Sequence, residues 1–405
     1  MKHVLVLSTL YPNAATPRFG TFVARSMESL ARRGDWAVSV INPIGRPPMG
    51  LGALSARYRD LAGLPQRAEE GGVIVHRPRF TLIPKVGARR NVAAITRAAL
   101  RVARDIDASR PVDMVDAQFF FPDGPAAAVL ASAIGVPLSI KARGSDITYW
   151  GRIGYARRAM AEAAHKADGL LAVNAALADD MRALGMPGDA IGVHTTGLDR
   201  DRFRPLGHPQ LRAQLAEELG FDLPETAPLL AGVGALVARK GHAITIEALG
   251  RLEASHPDAR LLVVGQGEEE AALRALVRER GVGDRVHFTG AVDHDLLPLI
   301  LSAADIMVLP TANEGLANAW VEAIACGTPL VTCDVGGARE LVTSDVAGRL
   351  VERSAKGVGE GIRAILADPP DPQEVAALAA RFSWDSHAEK LAQHYAALTG
   401  LRRAG

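Results

Sequence analysis

Short apolar runs alternate along the chain with longer segments in which apolar residues recur every three or four positions. Runs such as residues 4–7 and 229–233 are brief and bounded by polar or turn-forming residues, which favours buried strands. Segments such as residues 20–33 and 242–252 have the period of amphipathic helices. Strands that alternate with helices predict parallel sheets built from strand-helix-strand units, so the predicted fold class is α/β.

The same pattern occurs twice. We predict strands at residues 4–7, 38–41, 112–117, 138–141, 169–173 and 191–194, and then at 229–233, 260–264, 286–289, 306–309 and 329–333. Predicted helices cover residues 20–33, 91–108, 124–134 and 175–184, and then 242–252, 268–280, 296–302 and 318–326. A charged stretch at 195–209, punctuated by Gly and Pro, separates the two series and predicts a linker. The sequence therefore predicts two doubly wound domains that enclose a cleft, with ligands beyond the carboxyl ends of the strands.

One part of the first half has little regular pattern. Residues 45–70 are rich in Pro and Gly, which predicts an irregular and mobile excursion from the domain. The chain also begins with an apolar run, but that run covers only residues 4–7, so we favour a first strand over a signal peptide. The longest apolar stretch, residues 126–140, contains Ser132, Gly135 and Pro137, so no transmembrane helix is predicted.

Composition narrows the class of protein. Hydrophobic residues make up 48% and charged residues 22% of the chain, which is typical of a globular domain. The two cysteines, Cys326 and Cys333, have no metal-type spacing and are too few for a disulfide framework. We expect both to be small buried side chains in a reducing compartment.

Charge is distributed unevenly between the halves. Residues 1–205 hold 28 of the 46 basic residues and 18 of the 45 acidic ones, so the first half is basic and the second acidic. The basic residues include a group before and along the predicted helix at 91–108: Lys85, Arg89, Arg90, Arg97, Arg101 and Arg104. Such a stripe favours an anionic membrane surface or a phosphate-bearing acceptor, although a solvated helix face is the alternative.

Adjacent cations precede a helix in the second half. The strand at 229–233 leads into a loop with Gly234, then Arg239 and Lys240, then Gly241 and a predicted helix. Two cations beside the free N–H groups of a helix N-terminus suit a diphosphate. The alternative is a pair of solvated charges on a loop.

Two glutamates, Glu314 and Glu322, flank the start of another predicted helix within NEGLANAWVEAIACGTPLVT. Asn318 is expected to cap this helix, and the small residues before it can offer backbone amides to a negative oxygen. Glu314 precedes the cap and is expected to project into the cleft. Carboxylates also occur near helix starts because of the helix dipole alone, so both interpretations stay open at this point.

Taken in order, these segments resemble the retaining glycosyltransferases of the GT-B fold in the family 4 group, over nearly the whole chain. The resemblance rests on an E-x7-E motif at Glu314 and Glu322, on ARKG, VVGQG, VHFTG and GTPLVTCDVGGARELV in the second half, and on FGTF, FPDG and RGSD in the first. The ending FSWDSHAEKLAQHYAAL resembles the terminal helix of that family. The resemblance implies an acceptor-side Rossmann-like domain at residues 1–205, a nucleotide-sugar-binding domain at 206–382, and a helix at 383–405 that crosses back to the first domain.

The family resemblance also implies residue roles. Arg239, Lys240 and Glu314 would be catalytic, the two cations stabilising the leaving diphosphate and Glu314 lying beside the donor sugar. Glu322 would accept hydrogen bonds from the ribose hydroxyls. Further donor contacts are implied for Gly20, Gly234, Gly265, Gly290, Gly315, Leu316, Ala317 and Asn318, and acceptor-side candidates are Gln118, Arg143 and Asp146. Family members need no divalent metal, so we expect neither a metal nor a cofactor, the nucleotide sugar being a substrate.

One departure from the family pattern concerns the acceptor side. Many relatives carry a histidine-rich HAH where this chain has Asp116, Ala117 and Gln118. The amide of Gln118 cannot transfer a proton. The remaining polar candidates on that side are Lys141, Arg143 and Asp146, and ordinary strand-end salt bridges are the alternative role for these side chains.

The implied activity is the transfer of a sugar, with retention, from a UDP- or GDP-linked donor to a glycan or lipid-linked acceptor. No nucleic-acid partner is expected, and our hypothesis is a cytoplasmic enzyme that docks peripherally on the inner membrane face. Two alternatives are an inactive nucleotide-sugar-binding partner subunit and a GT-B-like nucleotide-sugar epimerase. A dehydrogenase is least favoured, because GVGALV and GQGEEE both break the dinucleotide fingerprint.

Overall fold

The chain divides into two compact units. The computed structural model describes residues 1–17, 19–47, 56–82, 88–207, 210–293 and 295–401. Unit 1 comprises Met1–Gly197 together with Trp384–Gly405, and unit 2 comprises Leu198–Ser383. The domain limits expected from the sequence, at residues 205 and 382, stay predictions beside this geometric division.

Unit 1 is an α/β unit with one large sheet. Its strands are β1 (Lys2–Leu7), β2 (Trp36–Ile41), β3 (Ile44–Arg46), β4 (Arg67–Glu70), β5 (Val73–His76), β6 (Arg79–Thr81), β7 (Met114–Ala117), β8 (Leu138–Ala142), β9 (Gly169–Ala172) and β10 (Ile191–Val193). Its helices before the linker are α1 (Thr21–Arg32), α2 (Ala56–Gly63), α3 (Ala88–Ser109), α4 (Asp123–Ile134), α5 (Ser145–Thr148), α6 (Gly154–Ala164) and α7 (Ala175–Ala183).

The large sheet of unit 1 has the strand order β10-β9-β8-β7-β1-β2-β5-β4. Its strands are parallel except for β4, which runs antiparallel to β5 at the edge. The order reverses between β1 and β7, which pair through residues such as Val4 and Met114. In doubly wound sheets, ligands bind beyond the carboxyl ends of the strands at such a reversal.

Unit 2 is a second doubly wound unit. Its strands are β11 (Leu229–Val233), β12 (Arg260–Val264), β13 (Val286–Gly290), β14 (Ile306–Leu309), β15 (Leu330–Cys333) and β16 (Gly348–Val351), in the all-parallel order β13-β12-β11-β14-β15-β16. Its helices are α8 (Leu211–Leu219), α9 (His242–Arg251), α10 (Glu270–Glu279), α11 (Leu297–Ala303), α12 (Asn318–Ala325), α13 (Ala338–Leu341), α14 (Ala355–Ala367) and α15 (Pro372–Ala377). This is the strand order of the Rossmann fold, and the reversal lies between β11 and β14.

The last helix, α16 (Trp384–Leu401), packs in unit 1. Leu391, Tyr395 and Leu398 are buried in a cluster that also contains apolar side chains of α1 and β1. Polar contacts fix the same helix, because the His387 ring nitrogen Nε2 lies 2.6 Å from the Ser26 hydroxyl of α1. Burial of this apolar face accounts for the inclusion of the C-terminal segment in unit 1.

Most predicted elements are confirmed, with ends that differ by one or a few residues, and so is the α/β class. The prediction of an irregular segment at residues 45–70 is wrong for the part that the structure describes, since β3, α2 and β4 lie there; residues 48–55 are outside the described residues. In β4, exposed Arg67 and Glu69 leave no apolar run that would signal an edge strand. Both cysteines are free and buried, as expected. None of the helices in the described ranges combines the length and apolar character needed to cross a bilayer.

Candidate active site

The site in unit 2 lies where the strand order reverses. The loop that follows β11 carries Arg239 and Lys240, and the loop that follows β14 carries Glu314. Because β11 and β14 are parallel neighbours, their carboxyl ends meet at the same sheet edge. The fold therefore brings together two segments that are far apart in sequence.

The Arg239–Lys240 segment forms a tight turn before α9. Residues Ala238–Lys240 form one turn of 3₁₀ helix, and Gly241 follows in the left-handed region with φ of 78°. A Cβ atom on Gly241 would lie 2.3 Å from the Pro310 carbonyl oxygen, so no other residue fits there without moving the backbone. This close approach holds the turn against the end of β14.

The carboxylate of Glu314 is shared by both cations. Its Oε2 atom accepts a hydrogen bond from Arg239 Nη1 at 3.1 Å and another from Lys240 Nζ. The Lys240 residue is 9% exposed, whereas 53% of the Arg239 side chain is exposed. The Lys240–Glu314 pair is therefore the shielded contact, and Arg239 reaches it from the solvent side.

Backbone hydrogen bonds join the two loops around these side chains. The carbonyl of Arg239 accepts from the Ala312 amide at 2.7 Å and from the Thr311 hydroxyl at 3.1 Å. Arg239 Nη1 also donates to the Asn313 carbonyl at 3.1 Å. The position of Glu314 relative to the cations is thus set by main-chain contacts as well as by charge.

Arg353, which the sequence analysis did not single out, braces the same loops. It follows β16, and its guanidinium donates to the Pro310 carbonyl at 3.0 Å and to the Ala238 carbonyl at 3.2 Å. Each carbonyl belongs to one of the two site loops. An arginine after the last strand of a Rossmann-like sheet carries no local sequence signal for this role, because the contact spans 43 residues to one partner and 115 to the other.

A third loop packs against Glu314 from behind. Gly336, in the turn after β15, has a φ of 52°, and a Cβ atom there would lie 1.7 Å from the Glu314 carbonyl oxygen. The amide of the next residue, Gly337, donates to the Gly315 carbonyl at 2.9 Å. In the sequence, this DVGG segment contributes only to the family resemblance, and no local pattern predicts its contact with the glutamate loop.

The helix that carries Glu322 begins differently from the prediction. Ala317, not Asn318, is the N-cap residue of α12, and Asn318 makes no side-chain cap. The extended backbone of Ala317 (φ −67°, ψ 127°) turns its carbonyl to accept from the Trp320 amide at 3.1 Å, which leaves Asn318 as the first helical residue, exposed. Glu322 is half-buried within the helix.

The other predicted donor contacts of unit 2 lie at the same sheet edge. Gly234, Gly265 and Gly290 follow or end three neighbouring strands, β11, β12 and β13. The Gly234 amide donates to the Val264 carbonyl at 2.9 Å, and the Gly265 amide donates to the Gly290 carbonyl at 2.9 Å. Gly315 is exposed and Leu316 is half-buried in the loop before α12. The turns after the three strands therefore form one continuous backbone surface.

A neutral histidine lies under the cationic turn. His242 is the first residue of α9 and is 3% exposed, and a Cβ atom on Gly232 would lie 3.3 Å from its Nδ1 atom. Burial lowers the pKa of His242 to about 4. Its imidazole is therefore uncharged at neutral pH and adds no third cation beside Lys240.

The remaining predicted site residues belong to unit 1. Gly20 is the N-cap of α1, and Gln118 follows β7 at the strand-order reversal, where its amide donates to the Leu7 carbonyl at 3.2 Å. The side chain of Gln118 donates to Asp116 and accepts from Arg143 Nη2. The structure thus brings Gln118 and Arg143 into one polar cluster.

Asp146 organises the turn after β8. Its carboxylate accepts from the backbone amides of Phe120 at 2.8 Å, Arg143 at 3.0 Å and Gly144 at 2.7 Å. The interpretation of strand-end salt bridges is wrong for this residue, because its described partners are amides. Burial raises the pKa of Asp146, while these amide hydrogen bonds oppose that rise.

Lys141, the third polar candidate, is fully buried. Its Nζ atom lies 2.8 Å from His194 Nδ1, and burial holds the pKa of the lysine well below its usual value. The side chain therefore belongs to the interior of unit 1. No group of three His, Cys, Asp or Glu side chains with metal-ligand spacing occurs within the described ranges.

Comparisons with known families cover most of the chain. Residues 19–197 match the family described as "Glycosyl transferase 4-like domain", and residues 218–382 match the one described as "Glycosyl transferases group 1". The chain is 31% identical over 321 residues to a glycogen synthase of Mycobacterium tuberculosis, covering 75% of this chain and 73% of that protein. It is 27% identical over 363 residues to TuaC of Bacillus subtilis, a protein named as a teichuronic acid biosynthesis glycosyltransferase. This match covers 89% of the present chain and 88% of TuaC.

A further relative is matched over a shorter stretch. The chain is 34% identical over 221 residues to a GDP-mannose-dependent monoacylated α-(1-6)-phosphatidylinositol monomannoside mannosyltransferase of Corynebacterium glutamicum, and this covers 50% of the chain and 56% of that relative. Among solved structures, a sucrose-phosphate synthase of Thermosynechococcus elongatus superposes with a TM-score of 0.72 at 20% identity, covering 99% of this chain and all of that one. Anabaena HepE, solved in complex with UDP, gives a TM-score of 0.72 at 19% identity over 98% of this chain and all of that one.

Proposed function

The chain belongs to the glycosyl transferases group 1 family and has the GT-B fold, and from this premise we propose that it is a retaining glycosyltransferase. The proposed donor is a UDP- or GDP-linked sugar, and the proposed acceptor is a glycan or a lipid-linked glycan. Relatives that use GDP-mannose by name and fold neighbours solved with UDP support testing both bases.

One observation carries the proposal. Arg239 and Lys240 converge on the carboxylate of Glu314 at the strand-order reversal of unit 2, beside the start of α9. Two cations that share a single carboxylate have an excess positive charge, which favours an added anion. A nucleoside diphosphate is such an anion. The turns at the ends of β11, β12 and β13 each contain a glycine, which would let this ligand approach the backbone closely.

The cations would act when the donor bond breaks. In sugar transfer, the bond between the anomeric carbon and the phosphate oxygen breaks and its electron pair stays on the diphosphate. The acceptor oxygen forms the new bond to the anomeric carbon, and the acceptor proton passes to the departing phosphate oxygen. Negative charge therefore develops on the leaving oxygen, and preorganised cations stabilise it. Lys240 is already oriented by Glu314, so little reorganisation is needed at that moment.

The two glutamates would serve different parts of the donor. Glu314, which is part of the loop before α12 and pairs with both cations, would lie beside the sugar, and Glu322 would accept hydrogen bonds from the ribose hydroxyls. The amides of Leu316 and Ala317 would contact the sugar or phosphate. We propose that the diphosphate is held by cations and backbone amides without a divalent metal.

The proposed location of the protein rests on the exposed arginines of α3. The helix α3 carries Arg97, Arg101 and Arg104 at three- and four-residue spacing, and all three are exposed. Lys85 lies outside the described residues, as does the side chain of Arg89. We propose a cytoplasmic enzyme that docks peripherally on an anionic membrane surface through this helix.

A donor panel tests the proposed function. The unfolding temperature is measured with UDP-, GDP- and ADP-sugars, because a ligand at about 100 times its Kd stabilises the folded state by roughly 2.7 kcal/mol. Lys240→Ala should lose the shift, and Arg280→Ala, which removes a surface pair with Glu247 in the same unit, should keep it. A donor that stabilises the protein but is neither hydrolysed nor transferred would instead favour an inactive binding subunit.

A further inference from the structure

Unit 1 contains an apolar groove that the donor site does not use. It has a volume of about 840 Å³ and lies among α3, α4 and α6, with Leu100, Phe121, Val129 and Ala159 in its walls. This volume is within the range of about 300–1,000 Å³ that is typical of small-molecule sites. The groove is therefore large enough for a ligand of its own.

The groove wall includes an apolar side chain that the fold leaves uncovered. Val129 is 45% exposed although its neighbours on α4, Ala128 and Leu130, are buried in the core. The aromatic ring of Phe121 forms another part of the wall and packs against Trp150 at 4.8 Å between ring centroids. A hydrocarbon ligand would cover the exposed surface of Val129, and its own apolar surface would gain free energy by leaving water.

The rim of the groove is cationic. Arg97 of α3 and Arg158 of α6 line it, both are exposed, and neither has a carboxylate within 4 Å among the residues that the structure describes. Glu162 is the acidic residue on the same rim. Apolar walls below two unpaired guanidinium groups match a molecule with a hydrocarbon chain and a phosphate, since arginine binds phosphate through paired hydrogen bonds.

One loop is common to the groove and the acceptor-side cluster. Phe121 stands three residues after Gln118, and the Phe120 amide between them donates to Asp146 Oδ2 at 2.8 Å. Phe121 of the groove wall and Gln118 therefore share the loop between β7 and α4. This continuity links the groove to the acceptor rather than to the donor loops of unit 2.

From the apolar walls, the cationic rim and this shared loop, we infer that the groove holds the hydrocarbon tail of a phosphate-bearing amphiphilic acceptor. Arg97 and Arg158 contact its phosphate, and the chain lies against Val129 and Phe121. The inference rests on the proposed function in one respect, which is that the bound amphiphile is the molecule to be glycosylated. It narrows the acceptor class to lipid-linked molecules.

Binding of a probe lipid tests the inference without any glycosyl transfer. Calorimetry of the full chain is carried out with dodecyl phosphate below its critical micelle concentration, with inorganic phosphate, and with dodecyl maltoside as a neutral amphiphile. We expect dodecyl phosphate to bind at least about tenfold more tightly than either of the other two. Equal binding of dodecyl maltoside would contradict the role of the arginines.

Variants with matched controls locate the binding. Ala93→Trp fills the groove from an exposed position of α3, and Ala108→Trp places the same side chain on an exposed part of that helix outside the groove. Val129→Asp puts a charge into the wall, and Ala133→Asp puts it on α4 one turn later. Ala93→Trp and Val129→Asp should each weaken dodecyl phosphate binding by about tenfold or more, while both controls bind as the unmodified protein does.

Two further comparisons test the role of the rim arginines and distinguish failure of this inference from failure of the proposed function. Arg97→Gln combined with Arg158→Gln should weaken the binding of dodecyl phosphate but not of dodecyl maltoside, whereas Arg157→Gln, at an exposed position of α6 outside the groove lining, should change neither. If the groove variants bind dodecyl phosphate as tightly as the unmodified protein does, the inference is overturned, even when nucleotide sugars stabilise the protein. If the groove variants weaken dodecyl phosphate binding but no nucleotide sugar stabilises the protein, the groove still binds the hydrocarbon tail. That result would contradict only the proposed nucleotide-sugar donor.

Discussion

Lys240 donates a hydrogen bond to the carboxylate of Glu314, across 74 residues of sequence, at the point where the strand order of unit 2 reverses. Glu314 has two effects there. It orients the ammonium group, and it neutralises part of the charge that an incoming diphosphate would meet. The carboxylate therefore competes with the diphosphate for Lys240, while the same pairing keeps the lysine in position for the leaving group.

Gly336→Ala is expected to abolish most activity without unfolding the protein. A Cβ atom there would lie 1.7 Å from the Glu314 carbonyl oxygen, so the glutamate loop must move. Gly281→Ala is the matched control, because Gly281 also has a positive φ (65°) but open space around its Cβ position. Turnover and the unfolding temperature of both variants are measured. Similar activity losses in the two would show that backbone strain, not the contact with Glu314, is responsible.

Replacing each cation with alanine should reduce transition-state stabilisation by different amounts. Removal of a preorganised charge stabiliser costs on the order of 2–4 kcal/mol. Lys240→Ala should lie at the upper end because this residue is buried, and Arg239→Ala at the lower end because water screens its exposed side chain. Comparison of kcat/KM with that of Arg280→Ala checks the order. A larger loss for Arg239→Ala would contradict the assignment of Lys240 as the principal contact.

Treatment with a chelator tests the proposal that the diphosphate is held without a divalent metal. If cations and backbone amides hold the diphosphate, activity should survive prolonged treatment with EDTA. The measurement is the initial rate before and after chelation, with and without added magnesium or manganese. Loss of activity that either ion restores would contradict the metal-free site.

The sequence predicts the segments of the site better than the contacts between them. The cation pair before α9 and the glutamate before α12 each have a local signal, namely charge at a helix start after a buried strand. The braces at Arg353 and Gly336 have none, because their function depends on loops from other strands meeting at one sheet edge. Side-chain chemistry predicts Asn318 as the cap of α12, but the extended backbone of Ala317 decides where the helix begins.

Acid should destabilise unit 1 before it affects carboxylate pairs. Burial holds the pKa of His194 and of His387 well below the usual value, with the charge of Lys141 adding to the effect. Both imidazoles are therefore neutral in the folded state, and the unfolded chain takes up their protons as pH falls below about 6.5. Stability is fully present above that pH and should decrease by up to about 1.4 kcal/mol per pH unit for each histidine below it.

His387→Gln checks the origin of this pH dependence. His387 stacks on His194 with ring centroids 4.1 Å apart, and its ring also contacts Ser26 and the Thr195 carbonyl. The variant should lower stability at pH 7.5 but show a shallower loss between pH 6.5 and 5 than the unmodified protein. The exposed His165→Gln is the control, and an unchanged slope in His387→Gln would assign the acid sensitivity to other groups.

Binding to anionic vesicles should depend on α3. Arg97, Arg101 and Arg104 are exposed on this helix, so electrostatic docking should need anionic lipid and weaken steeply with salt. Co-sedimentation of the triple glutamine variant should fall at least several-fold at low ionic strength. Vesicle binding that does not depend on lipid charge, or that is unchanged in the triple glutamine variant, would contradict electrostatic docking through α3.

The central claim is that Lys240, Arg239 and Glu314 form one donor site in which the cations bind the diphosphate and the glutamate acts on the sugar. The most direct measurement is a comparison of Glu314→Gln with the unmodified protein, in turnover and in nucleoside diphosphate affinity by calorimetry. Because Glu314 acts on the sugar, we predict that Glu314→Gln lowers turnover by about 100-fold or more. Because the variant also frees Lys240 from its counter-charge, nucleoside diphosphate affinity should be unchanged or higher. A parallel loss of nucleoside diphosphate affinity in Glu314→Gln would contradict the account.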